Sequence, residues 1–271
     1  MFYRANGNTV MMRPTLATLD LESLPTELAP FLRGAKIFDR SCSPAAKVYY
    51  IQKDKGYFLK YAAEGAIGRE AAMTRYFHRK GLAPPVIAYI SAEADWLLTE
   101  RLPGEDCRLE RYLAQPQRLT DTLAAALADL HAMDAGDCPQ NHTRVYLEKA
   151  LLNYETGNYD RSHFPDSFGY SSAEDAIKIV EENGHWLKAD TLLHGDYCLP
   201  NILLQDWRLA GFVDLDNAGV GDRHVDLFWA TWSLGFNLGT DRYRERFYDA
   251  YGRNQVDTEM LKVIAAIEVF G

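Results

Sequence analysis

An aspartate, an asparagine and a second aspartate stand at fixed offsets late in the chain: Asp196, Asn201 five residues on, and Asp214 eighteen on. The first two lie in Leu192-Leu193-His194-Gly195-Asp196-Tyr197-Cys198-Leu199-Pro200-Asn201-Ile202, and the third ends Gly211-Phe212-Val213-Asp214. Moving a phosphoryl group from a nucleotide to a hydroxyl needs a carboxylate to orient the hydroxyl and accept its proton. It also needs two oxygen-bearing side chains to hold Mg²⁺ on the phosphates. One loop and the strand after it can supply all three. An isolated loop aspartate more often caps a turn, so the reading depends on whether the rest of the chain supplies the remaining parts.

Upstream, the β-rich Val48 to Ile51 predicts a strand, Gln52 to Gly56 a polar turn, and Tyr57 to Tyr61 a second strand. Alternation puts Phe58 and Lys60 on one face of that strand. Taken alone, Lys60 reads equally well as an edge-strand lysine that discourages aggregation. Ile67 to Lys80 has helical spacing and stops at Gly81, with Glu70 near its start. A lone helix glutamate is usually a solvated charge. A strand lysine followed by a helix glutamate is nevertheless the order that orients nucleotide phosphates in kinases.

The remaining elements must position these groups. Leu21 to Leu32, punctuated by Pro25 and Pro30, predicts an accessory helix, and Val86 to Ile90 and Trp96 to Glu100 predict two more antiparallel strands. Arg101-Leu102-Pro103-Gly104 suits a hinge whose backbone could meet an adenine edge. Helices follow: one capped by Thr120 or Asp121 and ending near Met133, one over Thr143 to Thr156, and one capped by Ser172 and running to Glu182. Gly157 to Tyr170 has no clean period and reads as a loop, with Asp160 and Asp166 as its acids. From Asp226 onward the chain is helical, and Phe228, Trp229 and Trp232 read most simply as core. His131 and His194 read as packing or bracing residues, Cys198 as a small apolar group, and Asp222 and Asp226 as ties for the catalytic loop.

A chain of 271 residues exceeds the usual single core, so two lobes are expected. The composition, 47% apolar and 25% charged, is that of a soluble globular protein. A net charge of −9 argues against a nucleic-acid binder and is compatible with a cationic small substrate. The four cysteines have no metal-ligand spacing, no apolar run is long enough to cross a membrane, and the N-terminus lacks a signal-peptide core. A reduced, cytoplasmic protein, monomeric or weakly dimeric, is the expectation.

The motifs resemble the aminoglycoside phosphotransferase family, and His-Gly-Asp-x-Cys-Leu-Pro-Asn at 194–201 is most similar to its 3′-phosphotransferase branch. Gly219 to His224 with Asp226, Ser43-Pro44-Ala45-Ala46-Lys47-Val48-Tyr49, Phe58-Leu59-Lys60 and Gly68-Arg69-Glu70 add to the likeness, which runs from about residue 35 to the end. The resemblance implies an α+β, protein-kinase-like fold. A small antiparallel β-rich lobe (residues 1–102) would carry one key helix, a larger helical lobe would span 103–271, and the nucleotide would lie in the cleft between them. Asp196 would be the catalytic base, and Asn201 and Asp214 the Mg²⁺ ligands. Lys60 would contact the phosphates with Glu70 orienting it, Ser43 would touch them from the loop, and adenine would meet backbone near Glu100 and Leu102. ATP is the implied donor, with GTP as an alternative.

The acceptor's ammonium groups would meet Asp166 and the C-terminal segment containing Glu268 and Phe270. This chain departs from the family there, because Ile267 replaces an aspartate and Gly271 adds a residue. It also departs at Ser41-Cys42-Ser43, which replaces a glycine-containing turn, and at Leu215-Asp216-Asn217, which replaces Gly-Arg. The implied activity is phosphorylation of an aminoglycoside, at the 3′-hydroxyl. The alternatives are a kinase for another small amine or sugar, and a nucleotide-binding pseudo-kinase acting as an interaction module.

Overall fold

The computed structural model describes residues 15–21, 24–42, 44–160 and 170–271. The chain forms two compact units, residues 1–104 with 210–216, and residues 105–209 with 217–271. Residues 210–216, which the sequence reading placed with the helical lobe, thus group with the first unit.

The first unit is built on a six-stranded sheet. Its strands are β1 (Thr15–Ala17), β2 (Lys36–Asp39), β3 (Ala46–Gln52), β4 (Tyr57–Ala63), β5 (Val86–Ser91) and β6 (Ala94–Glu100), in the order β1-β2-β3-β4-β6-β5. Neighbours are antiparallel, and the register pairs Lys60 with Val48 on one side and Leu97 on the other. One face of the sheet buries Ile37, Ile51, Tyr57, Leu59 and Leu98 against Leu28 and Leu32. Leu32 ends the helical turn α1 (Ala29–Leu32). The accessory helix is shorter than its apolar pattern suggests, because it begins only after Pro25 as a 3₁₀ turn, Thr26–Leu28, that runs into α1. The proline fixes the entry and cannot donate to a preceding turn. Helix α2 (Gly68–Arg79) packs Ile67 and Ala71 against Ala62 and Leu97.

The second unit begins with β7 (Glu105–Asp106), α3 (Glu110–Leu113), α4 (Pro116–His131), α5 (His142–Thr156) and α6 (Ala173–Asn183). It continues through β8 (Thr191–Leu193), β9 (Ile202–Gln205), the start of β10 (Arg208–Phe212, whose last three residues group with the first unit), β11 (Gly219–Gly221), α7 (His224–Leu238), α8 (Arg244–Gly252) and α9 (Thr258–Glu268). β8 and β11 pair antiparallel, Leu193 opposite Gly219, and they bracket the candidate catalytic loop in sequence. Its core joins α5, α6, α7 and α9 through Ala150, Ala176, Val180, Val225, Ile264 and Phe270. α4 starts four residues before the expected Thr120, because Pro116 supplies a preformed first turn. The Thr120 hydroxyl instead donates to the Pro116 carbonyl at 2.7 Å. α5 is capped by Asn141 and closed by left-handed Gly157, and α6 is capped by Ser172. Among the described residues, no helix is long and apolar enough to cross a membrane.

Candidate active site

In the first unit, the predicted strand lysine and helix glutamate meet. Lys60 Nζ donates to Glu70 Oε2 at 2.6 Å and to Asp214 Oδ1 at 2.8 Å. Helical phasing explains the encounter: Glu70 is near the start of α2, on the side that covers the sheet face from which Lys60 projects. Burial works against the charge on Lys60, but the Glu70 and Asp214 carboxylates override it and keep the ammonium protonated. Burial pushes the Glu70 carboxyl up from its ordinary value, against the pull of Lys60. Asp216, a departure from the resembled pattern, adds negative charge near Glu70. Asp214 adopts a positive φ of 61°, unusual for a residue with a side chain and a mark of local constraint. Phe212 holds the segment leading to it: its N–H donates to the Leu82 carbonyl at 2.7 Å and its ring meets Phe77 edge-on.

In the second unit, the loop after β8 is tied from below by a buried carboxylate. Asp226 accepts the N–H groups of His194 and Gly195, both at 2.8 Å, and also contacts His131 Nε2 at 3.1 Å. Burial alone would raise the Asp226 pKa, but bonds from the His131 ring and the loop backbone hold it below the ordinary carboxylate range. Gly195 has φ +81°, and a side chain there would run into the Asn217 carbonyl, so the loop requires glycine. Tyr197 and Leu199 anchor the other side, the tyrosine hydroxyl donating to the Leu123 carbonyl and the Leu199 N–H to Ser233 Oγ. Asp222 accepts the N–H groups of Lys188 and His224. The bracing roles read for Asp226 and His194 match their contacts, the His194 ring accepting the Asp196 N–H at 3.3 Å, whereas Asp222 ties the segment before β8 to the head of α7 rather than the loop itself.

Asp196 thus projects from a loop whose backbone is fixed, and it is only partly buried. Asn201 Nδ2 donates to the Asp196 carbonyl at 3.0 Å and to Asp196 Oδ2 at 2.9 Å. Turning the amide nitrogen toward Asp196 directs the amide oxygen elsewhere, as a cation ligand requires. The side-chain amide therefore orients the carboxylate, and its own oxygen could serve a cation as acceptor.

Glu268 lies at the end of α9, buried, with its Oε1 accepting Tyr146 OH at 2.6 Å and Trp229 Nε1 at 2.8 Å. Burial raises its pKa to about 7; the two donors oppose that shift, and the charge of Asp196 reinforces it. The sequence does not single out Tyr146 or Trp229. Phe228 and Trp229 pack against the core of this unit, as their reading as core expects; with Trp232 they are half-buried and form a row with Phe236 along α7.

Phe270 is fully buried, its ring edge-on to Tyr154 and Tyr159 and its carbonyl accepting Asn153 Nδ2 at 2.7 Å. Glu100 ends β6; its N–H donates to the Pro85 carbonyl and its carboxylate pairs with Lys55. Leu102 follows β6, with its side chain close to Gly211. Ser43 and Asp166 lie outside the described residues.

The model of the phosphotransferase enzyme family matches residues 45–262. A probable aminoglycoside 3′-phosphotransferase of Lactococcus lactis is 46% identical over 255 residues, covering 93% of this chain and 97% of its own. An aminoglycoside 3′-phosphotransferase of Escherichia coli is 28% identical over 243 residues, 88% of this chain and 86% of its own. Among solved structures, an aminoglycoside-3′-phosphotransferase of type VIII superposes with a TM-score of 0.70 at 25% identity, covering 84% of this chain and 90% of that one. A Streptomyces rimosus aminoglycoside phosphotransferase, solved with ADP and streptomycin, shares the fold at 18% identity, with a TM-score of 0.69 and coverage of 83% and 90%. The α+β, kinase-like fold and the ordered motifs therefore agree with the similarity over nearly the whole chain: this protein is a phosphotransferase and belongs to the phosphotransferase enzyme family.

Proposed function

We propose that the enzyme transfers the γ-phosphoryl group of ATP to the 3′-hydroxyl of an aminoglycoside. The observation that carries the phosphoryl-transfer chemistry is Lys60, held charged between Glu70 and Asp214. The acceptor class is supported by the 46% likeness to a probable aminoglycoside 3′-phosphotransferase. Asp196 orients the acceptor hydroxyl and takes its proton as the oxygen–phosphorus bond forms and the bond to the β-phosphate oxygen breaks, releasing ADP. The loose character of such transition states makes positioning and charge neutralisation the main demands. Lys60 meets the donor phosphates, and Glu70 keeps it aimed. The nucleotide base meets backbone near Glu100 and Leu102, and Ser43 reaches the phosphates from its loop. The reaction is read as cytoplasmic, where ATP is at hand.

Asn201 and Asp214 would hold Mg²⁺. Among the described residues, no group of three or more His, Cys, Asp or Glu is placed to hold a metal. An amide and one carboxylate suit Mg²⁺, which takes few protein oxygens and keeps waters and phosphates as its other ligands. When bound, the ion neutralises charge on the phosphates. On the acceptor side, Glu268 supplies a carboxylate for an ammonium group, with Asp166 as the second acid and the segment around Phe270 completing the site. Ammonium–carboxylate contacts are charge-assisted and suit a polyamine acceptor.

Coupled ADP release across aminoglycosides with and without a 3′-hydroxyl, alongside simple amino alcohols, tests the proposal. Turnover confined to compounds bearing the 3′-hydroxyl, with the phosphate located there by NMR, is the expected result. Turnover of the amino alcohols alone would reassign the acceptor.

A further inference from the structure

Asp95, at the start of β6, has no exposed surface, and the nucleotide reading gives it no role. Four donors converge on its carboxylate. Oδ1 accepts the Gly65 N–H at 3.0 Å and the Ser91 hydroxyl at 2.6 Å. Oδ2 accepts the Ile67 N–H at 2.9 Å and the Tyr89 hydroxyl at 3.1 Å. Burial opposes its charge, but these four bonds hold the carboxyl below the ordinary range.

The location of those donors is informative. Gly65 and Ile67 belong to the turn between β4, which carries Lys60, and α2, which carries Glu70. Ile67 is the residue that enters α2, and its own side chain cannot cap the helix. Instead, a carboxylate reaching over from a neighbouring strand accepts the N–H of Ile67 itself, one of the four that have no partner inside the helix, and complements the positive end of the helix. Tyr89 adds a steric stop: a Cβ on Gly68 would come within 2.8 Å of its hydroxyl, so the first helical residue seats directly on it. Glu70 is only three residues beyond Ile67. A helix turns about 100° per residue, so a one-residue shift in where α2 begins swings Glu70 away from Lys60.

We propose that Asp95, with Tyr89 and Gly68, is a positioning device that fixes the first turn of α2 and thereby aims Glu70 at Lys60. The inference rests on the reading of Lys60 as the group that meets the nucleotide phosphates and of Glu70 as the carboxylate that orients it. It concerns how that pair is held in place without bound nucleotide, and it predicts that the start of α2 is locked.

Separate steady-state titrations of ATP and of an aminoglycoside acceptor test it. Asp95→Asn keeps the shape but turns one acceptor into a donor facing donors. It is expected to lower kcat/KM for ATP by about 10- to 100-fold, mostly through KM, with the acceptor KM unchanged. In a Glu70→Gln background the same change should add little. Gly68→Ala should raise the ATP KM by collision with Tyr89, and Tyr89→Phe combined with it should restore much of the loss by removing the oxygen. That pair decides the matter if Asp95→Asn does not fold. Equal effects of Asp95→Asn with and without Glu70, or a fall in kcat with both KM values unchanged, would reduce Asp95 to a stability role and overturn the proposal. Should Glu70→Gln leave the ATP KM intact, the nucleotide reading fails and this inference fails with it. Should Glu70→Gln weaken ATP use while the Asp95 and Gly68 variants do not, this inference alone is lost.

Discussion

Asp196 and Glu268 are two carboxylates of one unit with opposite surroundings, and each gives a distinct prediction. Asp196 is partly exposed and oriented by the Asn201 amide. Asp196→Asn retains the shape but cannot accept a proton, so kcat should fall by about 10²- to 10⁴-fold while calorimetric nucleotide affinity stays nearly constant. Full activity in that variant would remove Asp196 as the base. Glu268 is buried, and its pKa is raised to about 7 from 4.5. The folded state therefore keeps a proton that the unfolded chain has already lost, and the contribution of this group to stability falls as pH rises from about 4.5 to about 7. The loss is about 3 kcal/mol at most. Glu268→Gln keeps an oxygen to accept from Tyr146 and Trp229, so the Tm of the variant should gain on the parent as pH rises from about 5 to about 8. Above pH about 7, where Glu268 is ionised, the same variant should lose roughly 10- to 100-fold in acceptor affinity if the proposed ammonium contact is made, the worth of one charged contact. If the Tm difference does not vary with pH, Glu268 is not held as a high-pKa group.

At the scale of elements, the caps set where helices begin, and their cost can be measured. Ser172 Oγ accepts the Asp175 N–H at 3.0 Å at the head of α6, so Ser172→Ala should cost about 1 kcal/mol in denaturant unfolding without changing acceptor or ATP KM. An unchanged midpoint would mean that water replaces the cap at no cost. Ser172 was legible from sequence because a serine followed by two acids before an apolar stripe has few other uses. The strands around Lys60 and helix α2 were legible for the same kind of reason, since period and composition agree over each segment. Two features were not legible, and a third was legible only in combination. The head of α4 was displaced by a proline that preforms the first turn, which the apolar stripe does not record. Glu70 and Lys60 were each ambiguous alone and became informative only as a pair, because burial is a property of the fold. Tyr146, Trp229 and Asp95 carry no local signal at all: their partners lie 122, 39 and about 30 residues away, so only tertiary structure brings them to Glu268 and to the head of α2.

For the molecule as a whole, the balance of 38 acidic against 29 basic residues, a net charge of −9, bears on how a polycationic acceptor arrives. A field of one sign raises the local concentration of an oppositely charged ligand and speeds encounter, and salt weakens it over distances beyond the Debye length. That length is about 10 Å at 0.1 M and about 3 Å at 1 M, so distant surface acids contribute at low salt and drop out at high salt. The ammonium–carboxylate contact proposed at Glu268 would be close enough to be screened much less. The acceptor KM should therefore climb with ionic strength at fixed Mg²⁺ and ATP, kcat should stay nearly level, and a more highly charged aminoglycoside should show the steeper climb. Glu268→Gln separates the local contact from the global field: it should raise the acceptor KM at every salt concentration while leaving the slope against salt largely intact. A KM indifferent to salt would show that the −9 charge serves solubility alone, and a slope abolished by Glu268→Gln would show that one carboxylate, rather than the whole surface, attracts the acceptor.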